Sequence, residues 1–148
     1  MPQSLAQIYV HLVFSTKSRQ PFLNSLELRN KLHSYMSGIC QNMQSPALDI
    51  GGTEDHVHIF CRLGRETKIA DLVRNLKSDS TKWIKNTLPM FGWQAGYGAF
   101  SISPSHGDAL KQYIENQMEH HHKESFQDEF RRLLQKYQIS YDEQYVWD

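Results

Sequence analysis

Two short motifs contain residue types suited to metal binding and to nucleophilic chemistry. In the first, His56-Val57-His58, the two imidazoles are two residues apart. On a β-strand such side chains point to the same face, about 6.6 to 6.8 Å apart along the chain, so both can bind one ion. In the second, Tyr113-Ile114-Glu115-Asn116-Gln117, the phenol and the amide share one face of a helix. Polar histidines on a half-exposed strand and a packed tyrosine on an amphipathic helix are the alternative interpretations.

Hydrophobic periodicity predicts the elements that position these motifs. Alternation with a period of two indicates strands, and recurrence every three or four residues indicates helices. The predicted strands are 8–15, 47–50, 57–63 and 91–103, the last with a bulge or a close backbone approach at its glycines. The predicted helices are 24–42, one from Thr67 to a point before Pro89, one from Ser105 through Met118, and 127–138. Asn24, Thr67 and Ser105 are the expected starting residues, because their side chains can cap a helix.

The order β-α-β-β-α-β followed by helices predicts an α+β protein with a ferredoxin-like (RRM-like) fold. In this fold one antiparallel sheet carries helices on one face, here with extra C-terminal helices. The second face of such a sheet is left free for a ligand, a partner or a metal site. The length of 148 residues suits one unit, so we expect a single domain over residues 1–148.

Charge is balanced over the whole chain but not along it. The 16 Lys and Arg residues equal the 16 Asp and Glu residues, which argues against indiscriminate binding to nucleic acids. Residues 62–86 carry seven basic and three acidic side chains, whereas residues 108–148 carry five and nine. A basic middle segment favours a polyanion at one surface, although a solvated charged helix explains the pattern equally well.

The chain lacks the sequence features of a membrane or secreted protein. No apolar run approaches the roughly 20 residues that span a bilayer, and the N-terminus is unlike a secretory signal. We therefore expect a cytoplasmic protein with no membrane partner. Cys40 and Cys61 have neither metal-ligand nor redox spacing, which predicts reduced thiols that act as small hydrophobic side chains.

Taken together, the motifs resemble those of one family. The His56-Val57-His58 strand, the Gly96-Tyr97-Gly98-Ala99-Phe100 segment and Tyr113-x-x-x-Gln117 resemble the single-tyrosine HUH transposases of bacterial insertion sequences. These are the insertion-sequence-200-like transposases and their relatives, the REP-associated tyrosine transposases. The resemblance spans nearly the whole chain and includes further segments at 15–22, 51–52, 82–83, 120–126 and 141–147.

The resemblance implies a mechanism. Tyr113 would attack a phosphodiester of single-stranded DNA, leaving a 5′-phosphotyrosine and a free 3′-hydroxyl. His56, His58 and Gln117 would be the protein ligands of a divalent ion, Mg²⁺ or Mn²⁺. Imidazole nitrogens together with oxygen ligands suit Mn²⁺ best in vitro, whereas Mg²⁺ is the more abundant ion in cells. The covalent link conserves the energy of the broken bond, so no nucleotide cofactor is expected, and no Walker motif is present.

The resemblance also implies partners. We expect single-stranded DNA with hairpin ends, and a homodimer in which Tyr113 acts either in its own subunit or in the other. The residues predicted to contact the DNA backbone are basic: Lys17, Arg19, Arg62, Arg65, Lys77, Lys82 and Lys85. The histidine run at 120–122 is interpreted as helix capping or a DNA backbone contact rather than a second metal site.

Three alternative functions are compatible with the same residue types. A domesticated relative would process repeated extragenic palindromes with the same site. A regulator of the same fold would bind DNA without cleaving it. A hydrolase of small phosphoesters would use only the histidines, so it predicts that replacement of Tyr113 is harmless.

Overall fold

Four antiparallel strands form the centre of the protein, described here by a computed structural model that covers residues 2–121 and 123–148. The strands are β1 (Ile8–Ser15), β2 (Ala47–Gly52), β3 (His56–Leu63) and β4 (Gly98–Ile102), in the order β2-β3-β1-β4. All three strand pairs are antiparallel. This order is that of the ferredoxin-like fold, so the predicted fold class is confirmed.

Five α-helices accompany the sheet among the residues described. They are α1 (Leu26–Asn42), α2 (Ile69–Ile84), α3 (Gly107–Glu115), α4 (Gln117–His120) and α5 (Phe126–Lys136). Short 3₁₀ turns lie at Lys17–Arg19 and Pro104–His106. No helix in the described ranges is long and apolar enough to cross a membrane.

Each predicted helix start differs from the observed one by one or two residues. Ser25, not Asn24, caps α1, because its hydroxyl accepts the Leu28 amide at 3.3 Å. Thr67 does not cap α2, since its hydroxyl donates to the Met43 carbonyl at 2.9 Å. Ser105 lies inside a 3₁₀ turn, and its hydroxyl pairs with that of Ser103. The hydroxyls of Thr67 and Ser105 therefore bond to a carbonyl and a hydroxyl outside the helices that they were predicted to cap.

The helix predicted from Ser105 through Met118 is two helices. It begins at Gly107, and Asn116, with φ −96° and ψ 18°, interrupts it before α4 starts at Gln117. The Asn116 amide still donates to the Gln112 carbonyl at 3.0 Å, so the axis is only locally disturbed. Tyr113 and Gln117 therefore remain on one face, as the spacing predicts.

The last strand is much shorter than the segment 91–103 that the aromatic pattern predicts. Only Gly98–Ile102 pairs with β1, and Trp93 makes a single bridge to Thr16. Between them the chain leaves the sheet, and the Lys77 ammonium donates to the carbonyls of residues 94, 95 and 96. A side chain from another element thus satisfies backbone groups that a strand would have paired.

Helices cover both faces of the sheet, which differs from the free second face that we expected. On the first face the apolar side chains of β1 and β3 pack on α1 and α2, and both cysteines are buried there as free thiols. On the second face Phe60 packs against α3, and Val13 and Phe100 pack against α5. The amphipathic α5 has its own apolar stripe to bury, and the sheet supplies the partner. His56 and His58 lie beneath this second layer.

Candidate active site

His56 and His58 are completely buried on the second face of the sheet, and each ring is held by a hydrogen bond at Nδ1. Nδ1 of His56 donates to the Asp55 carboxylate at 2.8 Å, and the Thr53 hydroxyl lies 2.9 Å from the same nitrogen. Nδ1 of His58 shares a hydrogen bond with Nε2 of His11 at 2.8 Å. Such partners fix the orientation of an imidazole and leave Nε2 for a ligand. The sequence analysis did not identify His11.

Both His58 and His11 are held in the neutral form. Burial lowers the pKa of His58, against an opposing effect of Glu129. Burial also lowers the pKa of His11 well below its ordinary value, and the neighbouring His58 adds to the effect. A neutral imidazole is the form that binds a metal ion, so the local electrostatics suit metal binding by His58.

Gln117 faces His56 with its amide oxygen, which lies 2.9 Å from Nε2 of His56. The amide nitrogen donates to the Tyr113 carbonyl at 3.3 Å and to Glu129 at 3.2 Å, which sets the direction of the oxygen. Nδ1 of His56 already carries a proton, which it donates to Asp55, so a neutral ring presents a lone pair at Nε2. Nε2 and the Gln117 oxygen then face each other as two acceptors, and they attract each other only when a proton or a cation lies between them. The arrangement therefore suits a cation.

Tyr113 reaches the same cluster from α3. Its hydroxyl donates to the Glu129 carboxylate and accepts from Nη2 of Arg132 at 3.0 Å, and its ring lies edge-on to His58 at 5.7 Å. Burial, and then the negative charge of Glu129, raises the pKa of the phenol above its ordinary value. The hydroxyl is therefore protonated at neutral pH and needs activation to become a nucleophile.

Glu129 is a second residue of the site that no sequence motif predicts. This fully buried side chain projects from α5, and its Oε1 lies 3.1 Å from Nε2 of His58 and of His121. Its Oε2 accepts from Tyr113 and Gln117. Burial alone would raise the pKa of Glu129, but His58 and His121 outweigh it and hold the pKa below its ordinary value. The side chain is therefore a buried anion with several donors around it.

The donors of this cluster fit a divalent metal ion. Ligand atoms of His56, His121 and Glu129 all lie within 4.8 Å of one another. His58 and Gln117 contact members of this group directly. Imidazole nitrogens combined with carboxylate and amide oxygens bind ions such as Mn²⁺, Mg²⁺ and Zn²⁺. The structure thus brings together all four residues for which the sequence predicts a catalytic or metal-binding role.

His121 belongs to the histidine run for which we predicted capping or a DNA contact. Nε2 of His121 instead forms a hydrogen bond with Glu129 at 3.1 Å, and the His121 ring packs in a tilted orientation against His56, with centroids 4.4 Å apart. Hydrogen bonds to Glu129 raise the pKa of His121 against the opposing effect of burial. His122 and the side chain of His120 lie outside the part of the chain that is described.

A cavity of about 510 Å³ opens beside the Tyr113 side chain. Two of its lining residues, Arg132 and Lys136, have basic side chains. An anionic chain that enters this cavity would therefore meet compensating charge close to the phenolic oxygen.

The residues predicted to contact DNA do not form one surface. Lys17, Lys82 and Lys85 line a groove of about 890 Å³ beside α2, on the opposite side of the sheet from Tyr113. Lys77 also lines it, but its ammonium is bonded to three carbonyls, and burial lowers its pKa to about 8.

The three predicted arginines lie apart from this groove. Arg19 donates to the Trp147 carbonyl at 3.0 Å, and its guanidinium lies over the Trp147 ring. Arg65 donates to the Ser4 carbonyl at 3.4 Å, and Arg62 is exposed at the end of β3. The seven residues predicted to contact the DNA backbone are therefore divided between a lysine-lined groove and separate arginines.

Comparison with known proteins places the chain in a family. A sequence model of the family described as "Transposase IS200 like" matches residues 4–117. The chain therefore belongs to the IS200-like transposase family, which confirms the resemblance drawn from its motifs and makes it a DNA-processing enzyme. No curated protein matches the sequence at a significant level.

Two solved structures share the fold. One is a Deinococcus radiodurans R1 protein described as a candidate transposase, with a TM-score of 0.63 and 22% identity over 79% of this chain and 95% of that chain. The other is a REP-associated tyrosine transposase bound to a REP hairpin, with a TM-score of 0.58 and 13% identity over 78% of this chain and 70% of that chain. At these identities the similarity supports the architecture alone.

Proposed function

We propose that this transposase cleaves and rejoins single-stranded DNA through a 5′-phosphotyrosine intermediate at Tyr113. The observation that carries the proposal is the convergence of the Tyr113 hydroxyl, the Gln117 amide and the imidazoles of His56 and His58 around one buried carboxylate. A phenol placed in this way beside metal-binding side chains is equipped to act as a nucleophile.

The ligands proposed for the ion are His56, His58 and Gln117. Two supports come from their surroundings: Asp55 and His11 orient the two rings, and the Gln117 oxygen already faces Nε2 of His56. The proposed ion is Mg²⁺ or Mn²⁺, which would polarise the scissile phosphate and favour the ionised phenol.

The covalent step is a displacement at phosphorus. A bond forms between the Tyr113 oxygen and the phosphorus, the bond to the 3′ oxygen breaks, and the 3′ oxygen takes up a proton from water to become a free hydroxyl. The phenolic proton leaves along the hydrogen bond to Oε2 of Glu129 and passes on to water, because the lowered pKa of Glu129 keeps that carboxylate ionised. Arg132, 3.0 Å from the same phenolic oxygen, stabilises the negative charge that develops there.

Rejoining is the reverse reaction with a different strand. A DNA 3′-hydroxyl attacks the phosphotyrosine and releases its proton to water, the bond between phosphorus and the Tyr113 oxygen breaks, and the phenol takes up a proton from water. Because the phosphodiester energy is conserved in the link, no nucleotide cofactor is required.

The proposed substrate is single-stranded DNA with hairpin ends. Support comes from the fold neighbour that was solved bound to a REP hairpin, and from the basic cavity beside Tyr113. Lys17, Lys82 and Lys85 are proposed to contact the DNA backbone from the groove beside α2. The contacts of Arg19, Arg62 and Arg65 with DNA stay predictions, as do a homodimer, a cytoplasmic location and a single domain over 1–148.

A covalent adduct tests the proposal. Purified protein is incubated with labelled hairpin-bearing single-stranded DNA from the borders of its own gene and Mn²⁺, then separated on a denaturing gel. The wild type and Tyr145→Phe, changed at an exposed tyrosine, should form the adduct. Tyr113→Phe should bind the DNA without forming it. Absence of any adduct favours a DNA-binding regulator, and unchanged activity of Tyr113→Phe favours a histidine-only hydrolase.

A further inference from the structure

One oxygen of Glu129 is shared by three imidazoles. Oε1 lies 3.1 Å from Nε2 of His58, 3.1 Å from Nε2 of His121 and 3.5 Å from Nε2 of His56. These side chains come from β3, from the turn after α4, and from α5. Residues far apart in the sequence thus direct their ligand atoms to one place. The Glu129 carboxylate has no exposed surface, and burying such a group is costly unless charge or hydrogen bonds compensate it.

We propose that Glu129 is itself a ligand of the divalent ion, binding through Oε1 beside His56 and His58. This inference rests on the metal dependence in the proposed function. Ligand bonds of about 2.1 Å place neighbouring ligand atoms roughly 3.0 to 3.4 Å apart in octahedral and tetrahedral sites. The separation of 3.1 Å between Oε1 and Nε2 of His58 falls within that range, and the separation of 3.5 Å to Nε2 of His56 lies just above it.

Charge also favours a carboxylate ligand. Two neutral imidazoles and an amide would leave both positive charges of the ion uncompensated in a site where His56, His58 and Gln117 are buried. Glu129 supplies one negative charge at the centre of that site, where burial makes the compensation count most. A carboxylate and an amide oxygen also shift the preference from zinc toward Mn²⁺ and Mg²⁺.

The other contacts of Glu129 hold the carboxylate in position. Tyr113 and Gln117 donate to Oε2, and His121 donates to Oε1. On the same helix, Phe126 and Phe130 are buried against the sheet and fix the helix that carries the side chain. With Oε1 on the ion and Oε2 on the phenol, one carboxylate connects the metal site to the nucleophile.

Metal binding without DNA tests the assignment. Mn²⁺ affinity is measured by calorimetry on the full chain, and the visible spectrum of the Co²⁺-loaded protein reports the ligands. Glu129→Gln should bind Mn²⁺ at least about tenfold more weakly, the loss typical even of residues one step removed from a metal. Its Co²⁺ spectrum should also change, because a lost ligand alters the coordination. Asp128→Asn is the matched control: it removes one carboxylate from the exposed side of the same helix and should leave both readings unchanged.

Each other outcome overturns the assignment. Unchanged or tighter Mn²⁺ binding by Glu129→Gln would mean that the carboxylate competes with the ion for the imidazoles. Weaker Mn²⁺ binding with an unchanged Co²⁺ spectrum would mean that the carboxylate only positions other ligands. Where Glu129→Gln does not fold, Glu129→Asp retains the charge on a shorter side chain, and wild-type affinity in that variant contradicts the proposal. If the wild type forms the DNA adduct but Glu129 proves not to bind the metal, only this assignment fails and the proposed function still holds.

Discussion

Lys77 shows that a basic side chain in the groove beside α2 can have a structural role. Its ammonium donates to three carbonyls at 2.7 to 3.0 Å and lies over the rings of Phe14 and Tyr97. Lys82, on the same helix, is exposed and lines the same groove. Both residues are lysines on α2, but their surroundings differ, so their replacement should have different effects.

Replacement of Lys77 should destabilise the fold rather than weaken DNA binding selectively. Lys77→Ala leaves partly buried carbonyls without their donor, which costs about 1 to 3 kcal/mol in the free energy of unfolding. Lys82→Ala should keep that free energy within about 0.5 kcal/mol and bind labelled hairpin DNA more weakly, with a smaller salt dependence. Urea unfolding and fluorescence anisotropy measure the two effects. Wild-type stability in Lys77→Ala would show that the three bonds are dispensable.

The residues found from the sequence are those in local motifs. His56 and His58 share a strand face, and Tyr113 and Gln117 share a helix face, so spacing alone predicts that each pair is adjacent. Glu129 and His11 could not be found in this way, because their contacts depend on how α5 and β1 pack against β3. One signal was present: Glu129 occupies a position in the apolar stripe of α5, three residues after Phe126 and four before Leu133.

The contact between β2 and α3 sets the position of the nucleophile. A Cβ on Gly51 would lie 2.7 Å from both the Ile114 carbonyl oxygen and its Cγ2. Because Ile114 follows Tyr113 directly in α3, any displacement of this helix moves the phenol as well. Only glycine allows the two elements to approach this closely.

Substitution of Gly51 should therefore affect both stability and chemistry. Gly51→Ala forces α3 away from β2, which should cost about 1 to 3 kcal/mol in the free energy of unfolding and reduce the rate of adduct formation strongly. Gly38→Ala is the control, since a Cβ there meets nothing within 4 Å and alanine favours the helix α1. Thermal unfolding and the adduct assay give the comparison, and a Gly51→Ala protein with wild-type cleavage would refute this account of the contact.

At the scale of elements the sequence predicted most of the fold and missed how the last helices pack. The strands β1, β2 and β3 and the helices α1, α2 and α5 follow the hydrophobic periodicity closely. The late start of β4 depends on a contact from another element, because the Lys77 ammonium binds the carbonyls of residues 94 to 96. The break at Asn116 leaves no trace in the hydrophobic periodicity. The position of α5 over the second face was not predictable, because an apolar stripe shows that a helix needs a partner and not which partner it finds.

The whole molecule contains a site assembled within one chain. Tyr113, His56, His58 and Gln117 belong to the same subunit, and hydrogen bonds through Glu129 connect them. The sequence left open whether the tyrosine acts in its own subunit or in a partner. The arrangement favours action within one subunit.

Mixing two inactive variants distinguishes the two possibilities. His56→Ala lacks a metal ligand and Tyr113→Phe lacks the nucleophile, so each alone should form no adduct. If the site functions within one chain, unfolding and refolding the two together, which allows mixed dimers to form, should restore no activity. Recovery of adduct, up to about a quarter of the wild-type amount in an equal mixture, would show that the site is shared between subunits.

The chemical identity of the DNA-linked residue decides whether Tyr113 is the nucleophile. After reaction with hairpin-bearing DNA and Mn²⁺, nuclease and trypsin digestion should leave a nucleotide remnant on the peptide 112–123, whose only tyrosine is Tyr113. Tandem mass spectrometry should locate the phosphate on that phenol, and Tyr113→Phe should give no modified peptide. A remnant on any other residue, or DNA cleavage with no remnant on the protein, would contradict the account.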